Sequence, residues 1–235
     1  MSVNNHSPAL ARGLLRWGIK QTVFVLVLAA FLFLSAGRID WQQAWLYLTL
    51  VAFTQVLTAS LLMPHSPELL VERSQLQEGA KGWDIGLAIC MAYGCLLIAL
   101  VAGLQVRLST ISPISPLLLI ISLLIAVLGA FLTLWAMLSN RFFSGVLRIQ
   151  KERGHVPVSA GPYSYIRHPG YLGALAFTIA TPLILGSLWA FIPAGFVAGV
   201  TFLRTALEDR TLQAELEGYA DYARRVRYRL LPGIW

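Results

Sequence analysis

Long apolar runs separated by short polar stretches dominate this chain. The first polar stretch, residues 1–20, carries Arg12, Arg16 and Lys20 and reads as an interfacial lead. Apolar runs at about 22–36, 41–63, 83–106 and 117–138 predict four membrane-spanning helices, since roughly 20 apolar residues cross a bilayer. Gly37-Arg38-Ile39-Asp40 marks a tight turn, and Trp41, Trp45 and Tyr47 read as an interfacial aromatic belt. The 64–82 stretch, which holds PELLVER at 67–73, reads as a polar loop, and a Ser/Pro linker precedes the fourth run. Residues 139–170 form the longest polar segment. The run 171–203 is 33 residues, too long for one span. Gly186-Ser187 near its middle predicts a two-span hairpin with Trp189 at the far interface, giving six spans; read as one tilted helix, it gives five. The tail, 204–235, predicts a helix carrying Glu208, Asp209 and Glu215, then a basic end read as a membrane-surface contact.

Composition agrees with this pattern. The chain is 57% hydrophobic and 12% charged, against about 25% charged in soluble domains. The expected class is an all-α integral membrane protein with one membrane domain: N-terminal spans over 1–138, then a functional core over 139–235. A net charge of +7 would suit nucleic acid, but the placement of the cations speaks against that. In the six-span arrangement sixteen of the eighteen Lys and Arg lie on one side and only Arg38 and Arg107 on the other. The positive-inside rule then puts both termini in the cytoplasm. No small-residue cleavage site follows the first run, so it reads as a span rather than a removable signal. Cys90 and Cys95 read as inert core thiols, no Cys–His cluster suggests a metal, and mid-span Gln55 reads as interhelical glue.

Chemistry concentrates in GPYSYIRHPGYLG, residues 161–173. Pro169 suits the first turn of the helix that follows, which sets Arg167 and His168 at a helix N-terminus where the dipole favours an anion. The hairpin would bring this stretch to the same membrane surface as the start of the tail. One side then offers Arg148, Arg153, His155, Tyr163, Arg167 and His168, and the other Arg204, Glu208 and Asp209. Guanidinium groups hold a carboxylate or phosphate, and carboxylates accept from a ribose or an ammonium. The rings of Tyr163, Tyr165 and Tyr171 can cover an adenine or a cation. The set suits a zwitterionic nucleoside cofactor, with apolar helices behind it to admit a lipophilic partner. Arg167 and His168 also suit a basic lipid-headgroup anchor, and Asn140 a helix cap.

RIQKERGH (148–155), GPYSYIRHPGYLG (161–173) and RTALEDRTLQAELEGYADYARRV (204–226) resemble the isoprenylcysteine carboxyl methyltransferase family. That family belongs to a wider group of membrane-embedded methyltransferases that includes phospholipid N-methyltransferases. Asn140-Arg141-Phe142-Phe143 and PELLVER resemble its bacterial branch. The resemblance implies S-adenosyl-L-methionine between the central stretch and the tail. It implies cofactor-side roles for His155, Gly161, Tyr163, Arg167, His168, Pro169, Tyr171, Leu172, Glu208 and Asp209, and a catalytic pairing of Arg204 with Glu208. Asn140 is the implied substrate contact. Asp209 departs from the family, which usually has a second Glu there.

Three functions follow as expectations. The first is methyl transfer to a lipophilic acceptor from the bilayer, ending on a carboxyl group that needs a cation such as Arg204 to aim it. The second is N-methylation of a phospholipid or amine, with Glu208 as base, or S-methylation of a thiol. The third is a non-catalytic membrane scaffold that binds lipid. The expected location is a bacterial inner membrane, with membrane lipids as partners and neither nucleic acid nor metal.

Overall fold

The computed structural model describes residues 8–74, 79–108 and 114–235. Most of the Ser/Pro linker lies outside them. Among the described residues there is no strand, and eight α-helices follow in order. They are α1 (Pro8–Ala36), α2 (Gln42–His65), α3 (Pro67–Ser74), α4 (Gly82–Leu108), α5 (Pro116–Ser139), α6 (Pro169–Leu185), α7 (Phe191–Glu215) and α8 (Tyr219–Arg225). Five of these, α1, α2, α4, α5 and α7, are long and apolar enough to cross a membrane. The chain is an integral, multi-pass membrane protein.

Hydrogen bonds at the far end show how the hairpin runs. The turn after α6 begins at Gly186, and there Ser187 Oγ donates to Gln105 Oε1 (2.6 Å) and Trp189 N to the same oxygen (3.0 Å). Gln105 lies in the last turns of α4, so α6 ends where α4 ends. At 17 residues α6 rises about 25 Å and runs between the same two ends as the longer helices. It packs against α5 where Gly129 and Gly173 face each other. A Cβ on Gly129 would lie 2.5 Å from the Gly173 carbonyl, and one on Gly173 2.4 Å from the Gly129 carbonyl. Small residues let backbones approach this closely where lipid supplies no hydrophobic drive.

Four expectations about local structure change. Residues 8–36 form one helix, because the polar lead continues the α1 pattern without a breaker. Trp17 is buried there against Leu62, Leu69, Leu70 and Met137. PELLVER is a helix, not a loop. Pro67 begins α3, Glu68 sits in its first turn and Arg73 in its last, and Leu69 and Leu70 are buried. The aromatic belt also divides, since Trp41 and Tyr47 are buried and Trp45 stays exposed. Cys90 is exposed rather than part of the core.

The central core joins Leu28, Leu32, Val51, Ile98, Ile184 and Val197 from five helices. Outward, α5 exposes Leu117, Ile121, Leu124, Leu128 and Phe131, a helical stripe suited to hydrocarbon. A second cluster, around Leu147, Tyr163, Leu212, Leu216, Tyr219 and Tyr222, builds a cap over one end.

Candidate functional site

The cap encloses a cavity of about 260 Å³. Its walls come from the start of α6, the loop 140–163, the last turns of α7, and α8. Three buried ion-pair groups hold those walls. Asp84, in the first turn of α4, is fully buried and binds Arg204 through Nε (2.6 Å) and Nη2 (2.7 Å), while its Oδ2 accepts from Leu147 N (2.6 Å). Glu72 of α3 binds Arg148 through Nε (2.8 Å) and Nη2 (3.1 Å), and Glu152 takes Nη1 (2.7 Å). The Glu72 hydrogen bonds, set against burial, hold the Arg148 guanidinium above its ordinary range.

Asp209 is the third hub and is also fully buried. It meets Arg167 Nη1 (3.2 Å), His168 Nε2 (3.3 Å) and Arg229 Nε (2.9 Å), and accepts from Gln213 (2.8 Å) and Tyr219 Oη (3.1 Å). The hairpin thus brings the central stretch and the tail together. The basic end takes part from inside: Arg167 N and His168 N donate to the carbonyls of Tyr228 and Arg229 (both 2.9 Å). Those backbone donors at the start of α6 are therefore spent on the tail. Arg229 belongs to the fold rather than to the membrane surface, unlike Arg224, which pairs with Asp221.

Of the residues expected from sequence, His155, Tyr163, Arg167, His168, Tyr171, Arg204, Glu208 and Asn140 line the cavity. Gly161, Pro169, Leu172 and Asp209 are not among the residues that line it. Gly161 has φ +59°, and a Cβ there would lie 2.3 Å from Ser139 Oγ, so it lets the loop press onto α5. Pro169 occupies the first turn of α6. Arg204 is committed to Asp84 and to the Gly145 carbonyl (2.9 Å), with its guanidinium 5.3 Å from the Tyr171 ring centre. The unassigned Arg204 that sequence offered to an acceptor is a paired one. Asn140 both caps α5 and reaches the cavity, where its Nδ2 donates to Tyr163 Oη (3.3 Å).

Glu208 is the one carboxylate among the lining residues. Its Oε2 accepts from Tyr171 Oη (2.6 Å), and its Oε1 lies 3.8 Å from His168 Nδ1. Across the cavity His155 accepts from Gln150 N through Nδ1 (3.3 Å) and packs 4.4 Å from the Phe142 ring. Burial, then Arg153 and Arg148, pull its pKa down to about 4, so it is neutral at physiological pH. Burial likewise raises the Tyr163 phenol. Arg167 Nε is buried without a partner among the described residues.

Sequence reasoning passed over Asp84, Glu72 and Arg73, which approach the site from the N-terminal half. A lone acid in the first turn of an apolar run was the available signal for Asp84. Among the described residues no group of His, Cys, Asp and Glu is arranged to hold a metal.

Comparison with known proteins bears on the same segment. Residues 117–214 match the family model described as "Isoprenylcysteine carboxyl methyltransferase (ICMT) family". Curated relatives named Protein-S-isoprenylcysteine O-methyltransferase are similar over shorter stretches. The Saccharomyces cerevisiae protein is 37% identical over 67 residues, 28% of each chain. The Dictyostelium discoideum protein is 31% identical over 94 residues, 39% of each. The Tribolium castaneum protein is 31% identical over 110 residues, 45% of this chain and 39% of the relative. These alignments therefore span well under half of the relatives' own length.

Proposed function

We propose that the chain, whose residues 117–214 match the isoprenylcysteine carboxyl methyltransferase family model, methylates a lipophilic carboxylate inside the membrane. The methyl donor we propose is S-adenosyl-L-methionine. The observation that carries this reading is the cavity wall itself. A single carboxylate, Glu208, faces a cavity ringed by Tyr163, Tyr171, Tyr219 and Tyr222, with a partnerless buried Nε on Arg167. A group with an ammonium, a sulfonium, a carboxylate and a flat base fits that donor set. Glu208 would hold its ammonium or ribose, Arg167 its carboxylate, and the tyrosine rings its base.

When bound, the cofactor supplies an electrophilic methyl group on a sulfonium. Glu208 and Arg167 would hold it while that methyl passes to a carboxylate oxygen and the neutral thioether leaves. No proton moves, so this acceptor needs no base. The protein's own contribution is then to orient and dry the two partners. The apolar spans admit the acceptor from the bilayer, and the cap closes over the donor. An amine acceptor would need a base, and Glu208 with Tyr171 is where one exists. We propose the sixteen-cation end as cytoplasmic by the positive-inside rule, in a bacterial inner membrane.

The test is calorimetric titration of S-adenosylmethionine into the detergent-purified chain, with Arg167→Ala and Glu208→Ala beside it. Micromolar binding that falls at least tenfold in both variants supports the reading. Wild-type protein that takes up no cofactor in any detergent or lipid overturns it. New methylated phosphatidylethanolamine in membranes of expressing cells would replace the carboxyl acceptor with an amine.

A further inference from the structure

A second cavity, of about 320 Å³, lies deeper among the spans. Aromatic and aliphatic side chains of α1, α2, α4, α5 and α6 line it, among them Trp17, Phe24, Val51, Ile98, Leu134 and Phe177. Arg73, Thr133 and Ala174 line both this cavity and the one under the cap, so the two meet at those three residues. Two amides, Gln21 and Gln55, also reach the deeper wall, and neither has a hydrogen-bond partner among the described residues. Gln55, expected to bridge helices, lines this cavity instead. Both amides are half-buried, so they give this otherwise apolar wall two polar groups with which an occupant can bond.

Arg73 differs from the other three guanidinium groups on the upper wall. Arg148, Arg167 and Arg204 each hold a carboxylate. Arg73 has none within 4.0 Å among the described residues; it donates weakly to the Ser144 carbonyl (3.4 Å) and lies 5.2 Å from the Phe143 ring centre. Burial and then the nearby Arg204 charge lower its pKa from the ordinary guanidinium value. Guanidinium stays charged in proteins, so this is a half-buried cation with no carboxylate partner among the described residues.

We propose that Arg73 is the positioning residue for the acceptor, holding the carboxylate of an amphipathic acid at the neck while the acid's chain lies in the deeper cavity. This rests on the carboxyl methyltransferase reading above. Arg73 takes the aiming role that the sequence offered to Arg204, because Arg204 is already bound by Asp84 on two nitrogens. The deeper cavity selects for a chain, and its unpaired amides favour one that carries a hydrogen-bonding group part-way along. A carboxylate held at the neck stands between the two cavities, where one of its oxygens can attack the donor's methyl carbon.

The test uses the full chain in detergent and two readouts. The first is S-adenosylmethionine binding, which reports that a variant is folded. The second is methyl-ester formation on a panel of carboxylates: N-acetyl-S-farnesylcysteine, palmitate, 12-hydroxystearate and butyrate. Arg73→Gln should raise KM for the long acids at least tenfold with kcat and cofactor affinity changed less than threefold. Arg73→Lys should recover part of that loss. Ala130→Phe, which fills the deeper cavity, should raise KM for the long acids but not for butyrate. Wild-type turnover that survives in Arg73→Gln and Arg73→Lys with KM unchanged overturns the anchor and leaves the enzyme reading standing. Cofactor binding by the wild type with no ester formed from any acid overturns the carboxyl reading, and the anchor with it.

Discussion

The two ends of the α4–α7 contact are held by opposite means. Near mid-bundle, Gly94 of α4 meets Val197 of α7 with no room for a Cβ, since one would lie 2.2 Å from the valine Cγ2. Two turns further along α7, the same helices are joined by the Asp84–Arg204 pair, buried on both sides. The first contact is dispersion between small and branched residues, and lipid could solvate either surface almost as well. The second is a charge pair that neither lipid nor its own partner alone could stabilise. Close packing sets the distance between the helices; the ion pair sets which end of α7 faces the cap.

Breaking that contrast at its charged end gives the largest expected effect. Asp84→Ala leaves the Arg204 guanidinium buried without its anion and frees Leu147 N, and about 3–5 kcal/mol of stability should go. Thermal unfolding in detergent would register it, and Asp84→Ala combined with Arg204→Met should regain much of the loss. A steric break comes next. Asp209→Glu restores the acid usual in the family, but adds a methylene to a fully buried hub with five partners, and should cost about 1–3 kcal/mol. Stabilisation instead would mean that the hub has slack.

The pH dependence of the cap sharpens the comparison further. His155 has a folded pKa of about 4, below its ordinary 6.5, so the folded state favours the neutral ring. Its contribution is fully present above pH 6.5. As pH falls toward 4 the unfolded chain takes up a proton that the folded chain refuses, and the contribution is lost. His155→Gln should flatten that part of the melting-temperature profile between pH 7 and 4. The smallest effect belongs to the lipid face. Leu124→Ala, on the exposed stripe of α5, should shift stability by less than about 0.5 kcal/mol.

Particular elements show why some of this was legible in sequence and some was not. The four long runs and the α6–α7 hairpin were readable because a helix in hydrocarbon must be apolar throughout, and a turn must interrupt it. The meeting of 161–173 with 204–215 followed from that hairpin alone. PELLVER was taken for a loop because a short helix lying on a bundle has too few residues for a clear period. The basic end reads in sequence as a surface segment because its cations carry no mark of which carbonyls and carboxylates they will meet. Arg229 looks like Arg224 in sequence; one is bound to Asp209 and the other to Asp221 on the surface.

The sequence by itself determined the helical class, the long apolar segments, the sorting of cations to one end and the motifs by which residues 148–226 resemble a family. These are local or compositional properties, fixed by what a bilayer tolerates and by spacing along the chain. Only the tertiary structure decided which charges are paired. Asp84 reaches Arg204 across 120 positions and Glu72 reaches Arg148 across 76. No local pattern encodes such partners, because an ion pair is a property of distance in space. That pairing leaves Arg73, which lines both cavities, with no carboxylate within 4.0 Å among the described residues.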